Sequence, residues 1–451
     1  MKNSFILMKK SSIFSINFWI ILSFSILIGF IFRPGFMSFD SLLQFKQALG
    51  LTPYDDAHPV IMAKLWHFLL PITDNKISSL LFFNLIAYWI ACYLIAYNLT
   101  QHKLSQLLLS FAIGLFPTTF ILSLHIWKDV GMIIGFLYFV GFVLFFKNTN
   151  NRIYLFLSLL ALIWAILMRT NALIAAIPLM FYIIYLYNNS LKKPTYKKFL
   201  LLSLCSIGLV CLSFKIINYG TNHTSTIGTV LTWDLGALTK SSQKNYMPRF
   251  TYSFPESEVI EAVNKYFNPK VNTTLFEKFE AFPDNKYNKI LILDWVKAIY
   301  HQPLGYIKHR LYVSKTLLNL DGTTYYPFHI GIDNNIFGIH FGFLGKGPRL
   351  QEIATFFNNI ANSLIYKNYL FYFISILLLF LIVLFHNTKK YSLQFILLLS
   401  GFISTSSLFV LAPAADYRYC AWGNLSCFLA LILFLINLMN RRTKPEPSIK
   451  Q

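Results

Sequence analysis

Carboxylates beside histidine, lysine and arginine recur in short segments of an otherwise apolar sequence, and each pairing offers acid–base or anion-binding chemistry. The first segment reads Ser38-Phe39-Asp40-Ser41-Leu42. A carboxylate at the start of a helix has two uses. It can cap backbone N–H groups, or, held at a lipid–water boundary, it can take a proton from a hydroxyl. Leu42, Phe45 and Leu49 recur at i, i+3 and i+7, which predicts a helix lying along such a boundary, with Ser38 or Asp40 as its cap. The same segment runs on through Tyr54-Asp55-Asp56-Ala57-His58-Pro59. Asp55, Asp56 and His58 read either as an ordinary helix start or as groups that hold a substrate. Metal ligation would need a second His or Cys at ligand spacing, and none is present, so no cofactor is expected and a divalent ion is the minor alternative.

Further along, His125-Ile126-Trp127-Lys128-Asp129 offers an ion pair beside an interfacial Trp, or a second carboxylate and a cation facing the same pocket as Asp40. Arg169 stands between two apolar stretches in Leu167-Met168-Arg169-Thr170-Asn171, with Pro178 beyond. An arginine in such a setting either snorkels to the interface or serves a function. Its fixed charge and forked donors suit a phosphate. Asp416 and Arg418, in Pro413-Ala414-Ala415-Asp416-Tyr417-Arg418-Tyr419, either pair with each other or complete a pocket with the earlier segments.

The elements that must position these groups are membrane helices. The chain has 451 residues, of which 56% are hydrophobic, 18% aromatic and 13% charged. A soluble domain averages roughly 25% charged residues, so this chain cannot cover a water-facing surface. Apolar runs at 13–32, 78–98, 105–123, 130–146, 153–168, 172–187, 199–217, 369–386, 391–411 and 420–438 are long enough, or nearly so, to cross about 30 Å of hydrocarbon. The fold class expected is therefore an all-α polytopic membrane protein with about ten spans. The two short runs flanking Arg169 have a second reading, as a broken helix pair. The first run lacks a small-residue cleavage site and reads as a retained anchor.

Basic residues set the orientation. Lys2, Lys9 and Lys10 precede the first run; His102 and Lys103 follow the second, Lys147 and Arg152 the fourth, and Lys192, Lys193, Lys197 and Lys198 the sixth. Lys389 and Lys390 follow the eighth, and Arg441, Arg442 and Lys444 the last. These segments alternate, so all fall on one side, which the positive-inside rule makes cytoplasmic, with both termini. The net charge of +21 thus belongs to membrane topology and not to nucleic acid. Of the 18 Asp and Glu residues, only Glu446 falls on that side. Asp40, Asp55, Asp56, Asp74, Asp129 and Asp416 all sit in short outer connections. The expected division is a module 1–217 carrying the reactive outer loops, a mainly helical extracytoplasmic domain 218–368 between spans seven and eight, closing helices 369–440, and a cytoplasmic tail 441–451. Helical patterning in the outer domain covers 256–267, 286–300 and 304–318. Cys92, Cys205, Cys211, Cys420 and Cys427 lie in or beside apolar runs, which predicts buried free thiols.

In order and sidedness, these segments resemble the GT-C superfamily of membrane glycosyltransferases, which take sugars from polyprenyl-phosphate carriers on the non-cytoplasmic face. Asp40 with Phe45 is similar to the Asp that opens a juxtamembrane helix after the first span. His58-Pro59-Val60-Ile61, running on to Lys64-Leu65, is similar to a stretch in protein mannosyltransferases and aminoarabinose transferases. Asp129 stands at the second acidic position, Arg169 with Pro178 at the basic opening of a middle helix pair, and Arg418-Tyr419 at the Arg-Tyr before a late span. The match covers the first 190 residues and, more thinly, the last 40. Ser41 and Val60 depart from the usual Glu and second Pro.

The resemblance implies an inverting transfer at the outer face of the cell inner membrane. Asp40 and Asp129 would be catalytic, Arg169, Lys128 and Arg418 would bind the donor phosphate, and Asp55, Asp56, His58 and Asp416 would bind substrate. The partners implied are a polyprenyl-phosphate-linked sugar, a lipid or glycan acceptor held by 218–368, and membrane lipids. One rival is an O-antigen polymerase or ligase, whose outer Arg and His cluster would be His301, His309, Arg310, His329 and His340. The other is a lipid or solute transporter, against which no acid lies in mid-span and no inverted halves are visible.

Overall fold

The computed structural model describes residues 12–72, 76–191, 195–280, 284–345 and 347–442. Lys2, Lys9, Lys10, Asp74, Lys192, Lys193, Lys444 and Glu446 lie outside the described residues. Regular structure in the described residues is helical, with only isolated β-bridges besides. In chain order the helices are α1 (Ile16–Phe32), α2 (Phe39–Ala48), α3 (Val60–Leu69), α4 (Ser79–Leu99), α5 (Lys103–Gly114), α6 (Pro117–Ser123), α7 (Lys128–Thr149), α8 (Ile153–Met168), α9 (Ala172–Asn189), α10 (Tyr196–Ile217), α11 (Thr226–Ser242), α12 (Val259–Tyr266), α13 (Asn288–His301), α14 (Pro303–Leu317), α15 (Pro348–Asn362), α16 (Asn368–Leu384), α17 (Ser392–Leu411) and α18 (Ala421–Arg442).

Every apolar run of the sequence is helix, but the runs are not equivalent. Six helices among the described residues are long and apolar enough to cross a membrane: α4, α7, α9, α10, α17 and the segment Tyr417–Met439. These make the chain a membrane protein. Helices α1, α8 and α16 are apolar but only 16 or 17 residues long. The run 105–123 breaks into α5 and α6, bent by 75°. Pro117 causes the break. It has no N–H for a helix that would otherwise run through it, and it serves instead as the first residue of α6.

The bundle is built around α7, which packs between α4 and α8. Of its most apolar stretch 89% is buried, against 17% for α10. Close approach of α7 and α8 depends on Gly135, where an added Cβ would stand 2.6 Å from the Ala161 carbonyl oxygen. Leu201, Leu204 and Leu212 on α10 stay exposed, an apolar face suited to lipid. A second group pairs α17 with α9 and α18.

The region 218–368 contains the three expected helical stretches, as α12 with the turn before it, α13 and α14. Pro303 starts α14, where its missing N–H is harmless. Two more helices, α11 and α15, were not legible in the sequence. Thr226, Thr229 and Thr232 argue locally against α11, whose helix rests on burying Leu231, Trp233, Leu235 and Leu238. Helix α14 packs on α17, which joins this region to the bundle. All five cysteines are free; Cys92, Cys420 and Cys427 are buried, whereas Cys205 and Cys211 are exposed on α10.

Candidate functional site

The chain segments that leave the helices at one end of the bundle are stitched together by backbone bonds. The Phe36 N–H donates to the Leu124 carbonyl (3.0 Å), and the Ile126 N–H donates back to Phe36 (3.0 Å). The Ser41 hydroxyl donates to the Ile126 carbonyl (2.8 Å), and the Trp127 indole N–H donates to Ser38 Oγ (2.9 Å). Ser38 is therefore occupied by Trp127, and neither it nor Asp40 makes a side-chain cap to α2. The capping reading of Asp40 is not the structure's.

A strap of irregular chain between α14 and α15 closes the other side. The Met37 N–H donates to the Gly331 carbonyl (3.1 Å), the Asp333 N–H to Met37 (2.9 Å), and the Phe39 N–H to Asp333 Oδ2 (2.7 Å). His125 Nε2 accepts from the His329 N–H (3.0 Å) while its Nδ1 lies 2.9 Å from the Ile121 carbonyl. The Ile121 carbonyl requires the proton on Nδ1, and Nε2 also lies 3.0 Å from the His329 carbonyl oxygen, so burial decides the charge of the ring. Burial keeps it neutral, pushing His125 down to about 3.

These bonds set the start of α2 beside the start of α7, and Arg169 after α8 and Asp416 and Arg418 before α18 meet them in one knot of charge. Arg418 is its hub. One of its nitrogens lies 3.2 Å from Asp416 Oδ2 and 4.0 Å from Asp40 Oδ2, and another lies 3.9 Å from Asp129 Oδ2. Asp129 is also paired with Arg169. His58 Nε2 approaches Asp40 Oδ1 at 3.9 Å, and His58 Nδ1 lies 3.5 Å from Lys128 Nζ. The Arg418 guanidinium sits 4.2 Å from the centre of the Trp127 ring and 5.9 Å from Tyr326; that of Arg169 sits 4.4 Å from Tyr419. Aromatic walls of this kind hold a guanidinium in place while its N–H groups stay directed at acceptors.

Asp40, Asp129, Asp416, Arg169, Arg418, Lys128 and His58, drawn from distant parts of the sequence, are thus brought together. Arg169 is 8% exposed and paired, so it does not snorkel. Asp55 and Asp56 are used elsewhere. Asp55 accepts from the Gln47 amide (2.9 Å) and the Ala57 N–H (3.1 Å). Asp56 accepts from the Thr224 N–H (2.6 Å) and hydroxyl (3.0 Å) and pairs with His223 (2.9 Å). The Asp56 bonds moor the first loop to the start of 218–368. Trp127 was visible in the sequence only as an interface residue, and Tyr326 and the strap had no periodicity to reveal them.

The knot holds three carboxylates and three cations, and its open edge is Asp40, whose side chain is 40% exposed. Burial works to raise the Asp40 carboxyl. His58 when protonated, and Arg418, Lys128 and Arg169, more than offset that pull and hold it below the ordinary 3.8. His58 itself is pushed down to about 4, chiefly by burial and then by Lys128. At neutral pH the edge therefore presents an ionised carboxylate beside a neutral imidazole. Burial raises Asp416, against the pull of Arg418. A cavity of only about 10 Å³ lies between Asp40, Gln44, His58, Trp127, Lys128 and Arg418, space for roughly one water. No three His, Cys, Asp or Glu side chains among the described residues are grouped to share a metal ion.

The histidines that a polymerase or ligase would gather are spread out. His309 is buried with Arg310 against Asp234, His329 touches His125, and His301 and His340 are exposed. Compared with family models, with curated proteins and with solved structures, the chain finds no match.

Proposed function

We propose that this protein is a membrane glycosyltransferase that moves a sugar from a polyprenyl-phosphate carrier to an envelope lipid, glycan or protein, with inversion at the anomeric carbon. The reading takes all ten apolar runs as spans, with both termini in the cytoplasm, the charge knot and 218–368 at the outer face, and the cell inner membrane as the site.

The observation that carries it is the hub. Arg418 reaches Asp40, Asp129 and Asp416 at once. A general base and phosphate-binding cations are therefore neighbours, as a phosphate-leaving displacement needs. In the proposed step Asp40 takes the proton of an acceptor hydroxyl while that oxygen forms a bond to the anomeric carbon. The bond from that carbon to the phosphate oxygen breaks, and polyprenyl phosphate leaves with the electron pair. Charge grows on the departing phosphate, and Arg418, Arg169 and Lys128 stabilise it where it develops. Asp129 holds Arg169 and Arg418 in place, and Asp416 and Trp127 orient Arg418.

The direct test uses purified protein in nanodiscs with polyprenyl-phosphate sugars and acceptors extracted from envelope membranes. The proposal expects release of polyprenyl phosphate, followed by mass spectrometry. Consumption of no lipid-linked sugar in a complete extract contradicts it.

A further inference from the structure

The cavity at the charge knot is too small for a sugar, but a groove of about 530 Å³ opens nearby in the outer region, between the end of α12, the segment after it and α14. Small-molecule sites occupy roughly 300–1,000 Å³. The groove is lined by Tyr266, Tyr312 and the largely buried Phe267 and by Lys265 and Lys270, with no carboxylate among its lining residues.

Its charge is largely uncompensated. Lys265 and Lys278 lie 5.2 and 5.6 Å from the centre of the Tyr266 ring, and neither has a carboxylate partner among the described residues. Lys270 has only a distant one, Asp321 at 3.9 Å. Thr274, also on the wall, has a buried hydroxyl with no hydrogen-bond partner. Aromatic faces receive the C–H faces of sugar rings, and ammonium groups on flexible stems receive carboxylate or phosphate as point charges.

The groove is tied to the charge knot by adjacent residues. The Ala415 N–H donates to the Lys270 carbonyl (2.8 Å), and the Tyr417 N–H donates to the carbonyl of Tyr325 (3.1 Å), whose ring lies 5.7 Å from Lys270 Nζ. Asp416 stands between those two bonds. The groove floor is braced from below, where the Trp233 indole donates to the Asn268 carbonyl (3.0 Å).

We infer that this groove binds an anionic saccharide, one bearing carboxylate or phosphate groups, and feeds its hydroxyl toward Asp40. Its role as acceptor site rests on the proposed transfer; its preference for anionic sugar does not.

Binding is measured by calorimetry on the full-length protein in phosphatidylcholine nanodiscs, with tetragalacturonate and the neutral maltotetraose as probes. The uronate should bind about tenfold tighter or more than the neutral sugar. The Lys265→Gln, Lys270→Gln double variant should remove that margin, and Tyr266→Ala should weaken both sugars. Asp40→Asn should leave binding intact, so a failed transfer reaction and a failed groove are told apart. No binding of the uronate, equal binding of the two sugars, or indifference to the lysine changes would overturn the inference. Loss of uronate binding in phosphatidylglycerol nanodiscs alone would assign the groove to a lipid headgroup and overturn it as well.

Discussion

Two knots of buried charge hold this molecule together, and they differ in a way that separates scaffold from chemistry. The second is centred on Asp234 in α11. It pairs with Arg310 at 2.7 Å and His309 at 3.3 Å, accepts from the Trp295 indole at 2.9 Å, and Arg310 in turn donates to the Ala412 carbonyl at 2.8 Å. Each of these groups either faces another or binds backbone, and Asp234 is fully buried. The result is a clamp of α11, α13, α14 and the end of α17. The knot around Arg418 has the same residue types but an open edge at Asp40, and its guanidinium hub is shared among three carboxylates. A closed knot explains itself by the helices it joins. An open one leaves a proton acceptor beside cations, which joining helices does not require.

The largest effect expected from this contrast is on turnover. Asp40→Asn keeps the shape and removes the proton acceptor, so transfer should fall by roughly 10²-fold or more with an unchanged melting temperature. A steady-state assay alongside a thermal melt in detergent checks both halves. Asp234→Asn should do the reverse. Breaking a buried pair costs about 3–5 kcal/mol, so the melting temperature should drop sharply, while turnover per folded molecule is kept. If Asp234→Asn instead lost turnover without loss of stability, the two knots would have to exchange roles.

The pH profile sharpens the assignment within the open knot. Because its cations hold the Asp40 carboxyl below 3.8, Asp40 stays ionised as pH falls from neutral, and turnover should remain flat down to about pH 5, protonation and loss coming only lower. Asp416 is shifted the other way, upward, by burial. A decline already under way between pH 7 and 5 would move the proton-accepting role from Asp40 to Asp416. The smallest effect is expected from Asp56→Ala. This carboxylate moors the first loop through Thr224 and His223, so its removal should cost about 1 kcal/mol of stability and change turnover by no more than about twofold. A large loss would bring Asp56 back among the substrate-binding groups.

Much of the open knot was legible in the sequence because charge is conspicuous where the solvent is lipid. Asp40, Asp129, Arg169, Asp416 and Arg418 stand out in a chain that is 13% charged, and each lies where an apolar run ends. Asp55 and Asp56 stood out equally, but the Asp56 partners, His223 and Thr224, lie in a segment without a pattern. The strap was invisible for the same reason: His329 and Asp333 act through backbone bonds to His125 and Met37, and such bonds leave no periodicity. Apolar length marked every helix of the bundle. It did not mark the break at Pro117, where one missing N–H outweighs an unbroken apolar stretch.

The most direct measurement is made in cells. A strain lacking the gene is complemented with the wild-type chain or with Asp40→Asn at matched membrane levels, and its envelope glycans, lipid A included where present, are compared by mass spectrometry. Sugar transfer predicts a sugar missing from the deletion strain, restored by the wild type and not by Asp40→Asn. An envelope restored equally by both, or unchanged by the deletion, would contradict it.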